Sequence, residues 1–350
     1  MKTILIMAGG TGGHIFPGLA VAEEMRAAGW DVVWMGARGG MEERLVPPRG
    51  YKTAWIRAHA ARGKSLLHKL LLPANLLLSF WESARHLRRI RPHVVLGLGG
   101  YVAFPGGMMA SLFNRPLALH EQNAIAGLAN RVLSTVSDKV MVAFPGTLKR
   151  AEWIGNPVRA EIAAIASPAE RFRGRAGPLR VLVVGGSLGA QALNEAMPKA
   201  LALLSPRPEV VHQSGEKHLE ALKRHYEEAG VRGELLAFID DMAKRYAEAD
   251  LVICRAGAVT IAELSAGGMA SILVPFPFAV DDHQSANARF LADAGAAILV
   301  PQAELSPQKL AALVGSLDRA KLLEMARKAR ALGKPGAARL VAQRCMEIAR

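Results

Sequence analysis

The sequence predicts an α/β fold in which strands and helices alternate around parallel sheets, and a repeated pattern carries this prediction. The apolar run at residues 4–8 ends in the glycine cluster of residues 9–13, and a helical pattern follows it. The same succession of apolar strand, glycine loop and helix returns at residues 181–204. Continuous apolar runs are typical of strands buried in parallel sheets, and their alternation with helices indicates βαβ units. We therefore expect such a unit in each half of the chain.

Each glycine loop is a candidate anion site. Glycine lets the backbone turn sharply and approach a ligand closely, and the first turn of the following helix offers free N–H groups. We expect Pro17 in the first turn of the first helix, where its missing N–H is not needed. Two such units that face each other would form a cleft, and we place the functional site in it.

Length and composition indicate a globular protein of two domains. The chain has 350 residues, of which 51% are hydrophobic and 21% charged. We expect no secretory signal, and no apolar stretch approaches the roughly 20 residues of a membrane-spanning helix. The two cysteines, Cys254 and Cys345, have neither metal-ligand spacing nor that of a disulfide framework. These features favour a cytosolic protein.

The positive charge is concentrated in the first half of the chain. The formal net charge is +14; residues 1–160 hold 20 Lys/Arg and 9 Asp/Glu, whereas residues 161–350 hold 24 and 21. This asymmetry predicts an anionic partner for the N-terminal half, such as nucleic acid, acidic lipid headgroups or a phosphorylated substrate. Aromatic residues make up only 5% of the chain, which argues against nucleic acid.

The first unit lacks two features of dinucleotide-binding domains. Ile15 stands where the third glycine of G-x-G-x-x-G is expected, and the predicted second strand ends in Trp34-Met35-Gly36-Ala37 without the acidic residue that binds ribose. A nicotinamide or flavin enzyme is therefore not favoured.

The segment of residues 57–91 combines a leucine-rich helical pattern with many cations and a single acidic residue, Glu82. Leu70, Leu77 and Trp81 share one face of the predicted helix, because they are spaced by seven and four residues. One interpretation is a helix that packs its leucines on the sheet and exposes a basic face, which is the commoner arrangement. The other is an exposed apolar patch, ringed by cations, that rests on an anionic membrane surface.

Polar residues follow several predicted strands at the ends where open parallel sheets bind ligands. His120, Glu121, Gln122 and Asn123 come directly after the strand of residues 116–119. A second domain restarts at Arg180, after a crossing rich in proline, glycine and arginine. In that domain, strands lead into residues 255–268 and residues 281–287. Thr260 and Glu263 have the spacing of a capping box, which is the structural alternative to a ligand-binding role for Glu263.

Taken in this order, the motifs resemble the GT-B glycosyltransferases. Within that fold family, the chain is similar to the bacterial transferases that pass N-acetylglucosamine from UDP to the lipid-linked precursor of peptidoglycan. The resemblance covers nearly the whole chain and implies two Rossmann-like domains whose parallel sheets face a deep cleft. One glycine loop alone would be weak support, whereas the ordered set is specific. The matching motifs are residues 9–14, 97–101, 120–123, 155–159, 185–187, 238–242 and 255–263.

The resemblance implies that the C-terminal domain holds most of UDP-N-acetylglucosamine. Ser187 would reach a phosphate, and Ile239 would hold the uracil through its backbone. The helix start at residues 258–263 would face the diphosphate, with Glu263 on the ribose hydroxyls. Gln284 would contact the sugar, and the departure of residues 275–287 from some relatives leaves His283 and Asn287 as further candidates. The full predicted donor set is Thr11, Gly12, Gly13, Asn123, Arg159, Ser187, Ile239, Ala258, Val259, Thr260, Ile261, Ala262, Glu263 and Gln284.

Transfer to a hydroxyl group requires a base, and His14 is the leading candidate, with Glu121 in reserve. The alternative for His14 is a positioning role at the start of the helix. Gly99, Gly100 and Tyr101 would shape the pocket for the acceptor pyrophosphate. The chain has no D-x-D motif, so we expect neither a metal nor a cofactor. Helix dipoles, backbone N–H groups and Arg159 would carry the leaving-group charge instead.

The resemblance implies inverting transfer of N-acetylglucosamine to the C4 hydroxyl of lipid I, undecaprenyl-pyrophosphoryl-MurNAc-pentapeptide, which gives lipid II. The expected domains are an acceptor- and membrane-facing domain at residues 1–160, a UDP-sugar-binding domain at residues 161–335 and a helix at residues 336–350 that crosses back. A lipid-linked acceptor favours the membrane interpretation of Leu70, Leu77 and Trp81, with the enzyme peripheral on the cytoplasmic face of the inner membrane.

Two alternatives remain. One is another GT-B enzyme that uses a UDP-sugar, such as a glycolipid synthase or an epimerase. The other is a basic nucleic-acid-binding protein, although we expect no nucleic-acid partner.

Overall fold

The computed structural model describes residues 1–58, 72–186 and 189–350. The chain divides into two compact units: unit 1 comprises Met1–Arg159 and Pro335–Arg350, and unit 2 comprises Ala160–Lys334. In the described residues, each unit is built on a parallel sheet with helices between successive strands. The predicted α/β fold class with two parallel-sheet domains is confirmed.

In the part of unit 1 that the structure describes, seven strands form a parallel sheet. Ile6 of the first strand pairs with Trp34 on one side and Leu96 on the other, and all three side chains are fully buried. The strands are β1 (Thr3–Met7), β2 (Asp31–Ala37), β3 (Lys52–Ile56), β4 (Val94–Gly97), β5 (Leu117–Glu121), β6 (Lys139–Val142) and β7 (Glu152–Trp153), in the spatial order β3-β2-β1-β4-β5-β6-β7. The helices before the boundary are α1 (Gly12–Ala27), α2 (Met41–Leu45), α3 (Leu72–Ile90), α4 (Gly100–Leu112) and α5 (Leu128–Leu133).

Unit 2 repeats this plan, and its described residues form a six-stranded parallel sheet. Its strands are β8 (Arg180–Val184), β9 (Glu209–Gln213), β10 (Glu234–Leu236), β11 (Leu251–Cys254), β12 (Ser271–Leu273) and β13 (Ala297–Leu299), in the order β10-β9-β8-β11-β12-β13. Its helices are α6 (Ala160–Ala163), α7 (Pro168–Phe172), α8 (Gln191–Ala202), α9 (Leu219–Glu228), α10 (Met242–Glu248), α11 (Ala258–Gly267), α12 (His283–Ala292), α13 (Pro307–Gly315) and α14 (Arg319–Leu332).

The last helix, α15 (Ala337–Ile348), belongs to unit 1. Its Val341, Ala342 and Cys345 are buried in the same apolar cluster as Ile4 and Ile6 of β1. A segment from the far end of the sequence therefore completes the core of the first sheet, because burial of this apolar face offsets the cost of ordering the helix.

Three strands are absent from the sequence prediction: β3, β7 and β13. All three lie at sheet edges. β3 and β7 begin with the charged residues Lys52 and Glu152 and lack the continuous apolar run by which the central strands were predicted, whereas β13 lies in an apolar run that the prediction missed.

The prediction that Pro17 lies in the first turn of the first helix is wrong. The first helix begins at Gly12, so Pro17 lies in its second turn rather than its first. Glycines 12 and 13 accept the helical conformation before the proline is reached, and Pro17 leaves the carbonyl of Gly13 without the usual N–H partner.

Candidate functional site

Two glycine turns meet at the carboxyl ends of the neighbouring strands β1 and β4. Gly100 has a φ of 78°, and a Cβ atom there would collide with the carbonyl oxygen of Gly9. Only glycine therefore allows the two turns to pack together. Helix α1 follows at Gly12, and its N-cap residue Thr11 makes no side-chain capping hydrogen bond. The first-turn N–H groups of this helix, including those of Gly12 and Gly13, thus lie beside an open, glycine-lined edge of the sheet.

A buried carboxylate, that of Glu42 in α2, stabilises the first glycine loop by accepting hydrogen bonds from backbone N–H groups. Its Oε2 accepts a hydrogen bond from the N–H of Gly10 (3.2 Å), and its Oε1 accepts one from the N–H of Ala37 (3.0 Å). Side chains at Gly36 and Gly40 would collide with this carboxylate. Sequence reasoning missed Glu42. Gly36 and Gly40 could have indicated it, because glycines leave room for a large buried side chain.

His14 stands in the first turn of α1 and is partly exposed. Its Nδ1 lies 2.9 Å from Oε1 of Gln122, whose Nε2 lies 3.0 Å from the carbonyl oxygen and 3.2 Å from Nδ1 of His120. Nε2 of His120 in turn lies 2.8 Å from the carbonyl oxygen of Gly155. Burial lowers the pKa of His120 to about 4, so its ring is neutral at physiological pH.

Glu121 is almost fully buried, and both of its carboxylate oxygens accept hydrogen bonds from the following loop. Oε1 accepts from the N–H of Asn123 (2.9 Å), while Oε2 accepts from the N–H of Gly127 (3.3 Å) and from Nδ2 of Asn130 (2.8 Å). These contacts hold Asn123 next to the carboxyl end of β5. They favour a positioning role for Glu121 over that of a base.

Tyr101, the second residue of α4, packs its ring beside the first glycine loop. A Cβ atom on Gly10 would lie 3.1 Å from Cε1 of the tyrosine ring. Burial, and to a lesser degree the charge of Glu42, raise the pKa of the Tyr101 phenol. The hydroxyl group therefore stays protonated at neutral pH and can donate a hydrogen bond to an anion. The adjacent Gly99 lies against the ring of His14, so the predicted acceptor residues and the predicted base are neighbours.

The second glycine loop follows β8 and is held by Gln213 at the end of β9. Gln213 accepts a hydrogen bond from the N–H of Gly186 (3.0 Å) and donates to the carbonyls of Gly186 (3.1 Å) and Ala237 (2.9 Å). Gly186 and Gly189 both have positive φ angles. Gln213 is nearly fully buried, and sequence reasoning missed it. Ser187 lies outside the described residues.

The capping box of Thr260 and Glu263, the structural alternative for Glu263, does not form. Helix α11 begins at Ala258 with Gly257 as its N-cap residue, so Thr260 is the third helical residue rather than the cap. Glu263 is buried, and its Oε2 accepts a hydrogen bond from the hydroxyl group of Tyr246 (3.3 Å). The capping-box alternative is therefore wrong, and the ribose role of Glu263 stays a proposal beside a structural role in the contact with Tyr246. The predicted residues Ala258, Val259, Thr260, Ile261 and Ala262 form the first turns of this helix.

The three candidates for the sugar contact occupy different positions on α12. Asn287 is fully buried and donates to the carbonyl of Ala256 (3.2 Å). Oε1 of Gln284 accepts from the N–H groups of Phe276 (2.9 Å) and Ala256 (3.3 Å). This fixes the Gln284 amide with its Nε2 directed away from those backbone groups, where it can donate to a ligand. Gln284 is therefore the better candidate than Asn287.

The other predicted donor residues lie in loops. Ile239 is buried in the loop between β10 and α10, and Arg159 is the partly exposed last residue of unit 1 before α6.

The surface of α3 carries large exposed apolar side chains. Leu77 is 70% exposed and Trp81 is 59% exposed, whereas Ser83 and Leu87 of the same helix are buried. The guanidinium group of Arg85 lies 5.7 Å from the ring centroid of Trp81. Leu70 lies outside the described residues. Within the part of the chain that the structure describes, no helix is long and apolar enough to cross a bilayer.

A cavity of about 850 Å³ in unit 2 lies away from these loops. It is lined by the amino ends of β8 and β9 and by residues that precede β10. Parallel sheets bind ligands at the carboxyl ends of their strands, so we do not place the functional site in this cavity.

Comparison with known proteins agrees with this arrangement. The glycosyltransferase family 28 N-terminal domain matches residues 4–142, and the family 28 C-terminal domain matches residues 180–343. The chain is 66% identical to the UDP-N-acetylglucosamine--N-acetylmuramyl-(pentapeptide) pyrophosphoryl-undecaprenol N-acetylglucosamine transferase of Aromatoleum aromaticum, over 100% of this chain and 98% of that protein. It is 63% identical to the transferase of the same name from Azoarcus sp., over 100% and 99% of the two chains.

A solved structure extends the similarity to three dimensions. The crystal structure of Acinetobacter baumannii MurG superposes with a TM-score of 0.89 at 41% identity, covering 99% of this chain and 100% of that chain.

Proposed function

This chain belongs to glycosyltransferase family 28, and from that membership we propose that it transfers N-acetylglucosamine from UDP-N-acetylglucosamine to the C4 hydroxyl group of lipid I, with inversion at the anomeric carbon. The product is lipid II, the lipid-linked disaccharide used in peptidoglycan synthesis. The observation that carries the proposal is the 66% identity, over the whole chain, with the Aromatoleum aromaticum transferase.

We assign the nucleotide part of the donor to unit 2. The diphosphate meets the N-terminus of α11, where unpaired N–H groups and the positive end of the helix dipole favour an anion. Glu263 accepts hydrogen bonds from the ribose hydroxyls, Ile239 holds the uracil through its backbone, and Nε2 of Gln284 donates to the sugar. Ser187 of the second glycine loop is assigned to a phosphate. Thr11, Gly12, Gly13, Asn123 and Arg159 of unit 1 are assigned to completing the donor site.

We assign the base to His14. Its ring is partly exposed at the carboxyl edge of the unit 1 sheet, beside the glycine turns and Tyr101 that we assign to the acceptor pyrophosphate. A neutral imidazole can take the proton of the attacking C4 hydroxyl group. We assign Glu121 to holding the loop that contains Asn123, because both of its carboxylate oxygens accept hydrogen bonds from that loop.

Departure of UDP leaves negative charge on its diphosphate, and we propose that this charge is stabilised without a metal. Backbone N–H groups, the α11 dipole and Arg159 supply the positive potential.

The lipid tail of the acceptor requires the enzyme to work at a bilayer surface. We propose that Leu77 and Trp81 of α3, with the neighbouring cations, rest on the anionic cytoplasmic face of the inner membrane. The exposure of both side chains supports this, because large apolar groups that pack in a core are buried.

The test is transfer of radiolabelled N-acetylglucosamine from the UDP-sugar to a short-chain lipid I analogue. We expect a disaccharide product, with UDP-glucose and UDP-galactose much poorer donors. Transfer to diacylglycerol instead would support the glycolipid synthase alternative. Release of an isomerised UDP-sugar without an acceptor would support an epimerase, and tight, salt-dependent binding of RNA or DNA without any transfer would support the nucleic-acid alternative.

A further inference from the structure

A chain of four hydrogen bonds connects a backbone carbonyl to the ring of His14, entirely within unit 1. It runs from the carbonyl of Gly155 to His120, from His120 to Gln122 through two contacts, and from Gln122 to His14, with each length between 2.8 and 3.2 Å. His120 and Gln122 are each at most 1% exposed, so water does not compete for the contacts between these two residues.

The first link fixes the tautomer of His120. A carbonyl oxygen can only accept, so Nε2 of His120 must carry the hydrogen that is donated to Gly155. The His120 ring is buried without a carboxylate among its hydrogen-bond partners, which keeps it neutral. Its Nδ1 is therefore an unprotonated acceptor.

The next link fixes the orientation of the Gln122 amide. Two acceptors of His120, its Nδ1 and its own backbone carbonyl, lie within 3.2 Å of the same end of that amide. The NH₂ group must occupy this end, because an amide oxygen there would face two lone pairs. The Gln122 Oε1 atom is consequently the end that faces His14.

We propose that Gln122, oriented by His120 and Gly155, is a positioning residue that holds His14 in the tautomer protonated on Nδ1. Oε1 of Gln122 can only accept, so Nδ1 of His14 must donate to it. The neutral ring then has its lone pair on Nε2, the nitrogen on the far side of the ring from Gln122. Resting on the proposed function, in which His14 takes the proton of the acceptor hydroxyl group, this arrangement makes Nε2 the basic atom. The released proton goes to Nε2, and the Nδ1–H bond to Gln122 steadies the imidazolium.

The first experiment is independent of catalysis. Nitrogen-15 NMR of histidine-labelled protein, with the His14 signals assigned from the His14→Ala variant, reports which ring nitrogen carries the hydrogen. At a pH where His14 is neutral, we expect the Nδ1–H form in the unsubstituted protein and a mixture of both forms in Gln122→Met, which removes the amide at similar volume. A His14 ring protonated on Nε2 in the unsubstituted protein overturns the proposal. This result stands whether or not the protein transfers N-acetylglucosamine.

The second experiment separates positioning from a structural role. We expect Gln122→Met to lower kcat about 10- to 100-fold, the size of effect typical of an orienting partner, with KM for UDP-N-acetylglucosamine changed less than about 2-fold. Added to His14→Ala, the same substitution should cost less than about 2-fold more, because Gln122 acts only through that ring. Full additivity of the two losses contradicts the proposal.

Gln308→Met, on the exposed side of α13, is the matched control and should leave kcat and KM unchanged. If Gln122→Met does not fold, the NMR measurement on the unsubstituted protein still decides the tautomer. If the unsubstituted protein shows the Nδ1–H form but no transfer to lipid I, the proposed function fails while the tautomer assignment holds.

Discussion

Arg344 of α15 and Glu152 of β7 form a two-pronged ion pair although 192 residues separate them in the chain. Nη2 of the arginine donates to Oε1 (2.7 Å) and its Nε donates to Oε2 (2.9 Å), while Lys139 approaches the same carboxylate at 2.7 Å. The hydrogen bond from Arg344, followed by the interactions with Lys139, lowers the pKa of Glu152 from 4.5 to about 2. The last helix is thereby fastened to the edge of the unit 1 sheet.

We expect Glu152→Gln to destabilise the protein at pH 7 by about 1 kcal/mol, because a partly exposed ion pair contributes little more. The lowered pKa means that the carboxylate stabilises the folded state above about pH 4.5, and that this contribution is lost as the pH falls towards about 2. Urea unfolding at pH 7 and at lower pH should therefore show a shrinking difference from the unsubstituted protein. Glu227→Gln on the exposed side of α9 is the control. An equal loss of unfolding free energy in this variant would show that the ion pair of Glu152 does not stabilise the protein.

We expect His14→Ala to lower kcat by at least about 100-fold, which is the usual contribution of a general base. KM for UDP-N-acetylglucosamine should change little, since the nucleotide is assigned to unit 2. Steady-state kinetics with a soluble lipid I analogue measures both values, and the thermal midpoint checks folding. His225→Ala, on α9 in unit 2, is the matched histidine control. Near-normal turnover by His14→Ala would remove this residue from catalysis.

We expect Glu263→Gln to weaken UDP binding about 10- to 100-fold, because it would replace the proposed charge-assisted hydrogen bonds to ribose by weaker neutral ones. Calorimetry with UDP gives the affinity, and calorimetry with 2′,3′-dideoxy-UDP is the control. The two proteins should bind the dideoxy compound equally. A loss of the same size for both ligands would mean that Glu263 acts only by stabilising unit 2 through Tyr246.

We expect the double variant Leu77→Glu, Trp81→Glu to bind vesicles of phosphatidylglycerol at least about 10-fold more weakly, because it removes two apolar contacts and adds negative charge. Its turnover of a water-soluble acceptor should stay normal. Co-sedimentation with vesicles measures the first quantity. Leu203→Glu, which changes a 57% exposed leucine in unit 2, should bind as the unsubstituted protein does. Equal vesicle binding by the double variant would show that this patch does not contact the membrane.

We expect transfer to continue after treatment with EDTA and removal of divalent ions, since helix dipoles and Arg159 are proposed to stabilise the departing diphosphate. The measurement is the initial rate in metal-free buffer, with and without added Mg²⁺, and we expect the two rates to agree within about 2-fold. Complete loss of activity that Mg²⁺ restores would contradict this prediction.

The central strands could be predicted from the sequence because each is a local apolar run closed by glycine or polar residues. β1 and β8 with their glycine loops are examples, and both were expected from their local sequence pattern. The edge strand β3 was not predicted, because its first residues, Lys52 and Thr53, are charged and polar and interrupt the apolar pattern; only its pairing with β2 places it in the sheet. The start of α1 at Gly12 was missed because it was inferred from Pro17 alone, without the contacts that hold the glycine turn.

The candidate site, like the fold, has features that the sequence predicts and features that only the structure shows. The residue types around His14, Glu121 and Glu263 indicated chemistry, but their roles depend on hydrogen-bond partners that the sequence did not identify. These are Gln122, 108 residues from His14, Tyr246 for Glu263 and the following loop for Glu121. Glu42 beneath the first loop and Gln213 beneath the second gave no motif, since each acts through backbone groups that only the fold brings within reach.

The sequence by itself determined the fold class, the order of the binding motifs and the residue types available for catalysis, because apolar periodicity and glycine turns are local properties. Only the tertiary structure decided which of these residues share hydrogen bonds. Glu121 accepts hydrogen bonds from the loop that follows it, and Gln122 lies between His14 and His120. Leu77 is exposed to solvent. Some of these contacts join residues distant in sequence, as for His14 and Gln122, and others lie within one loop. In both cases the direction of each hydrogen bond is set by which donors and acceptors remain once the sheets and helices have packed.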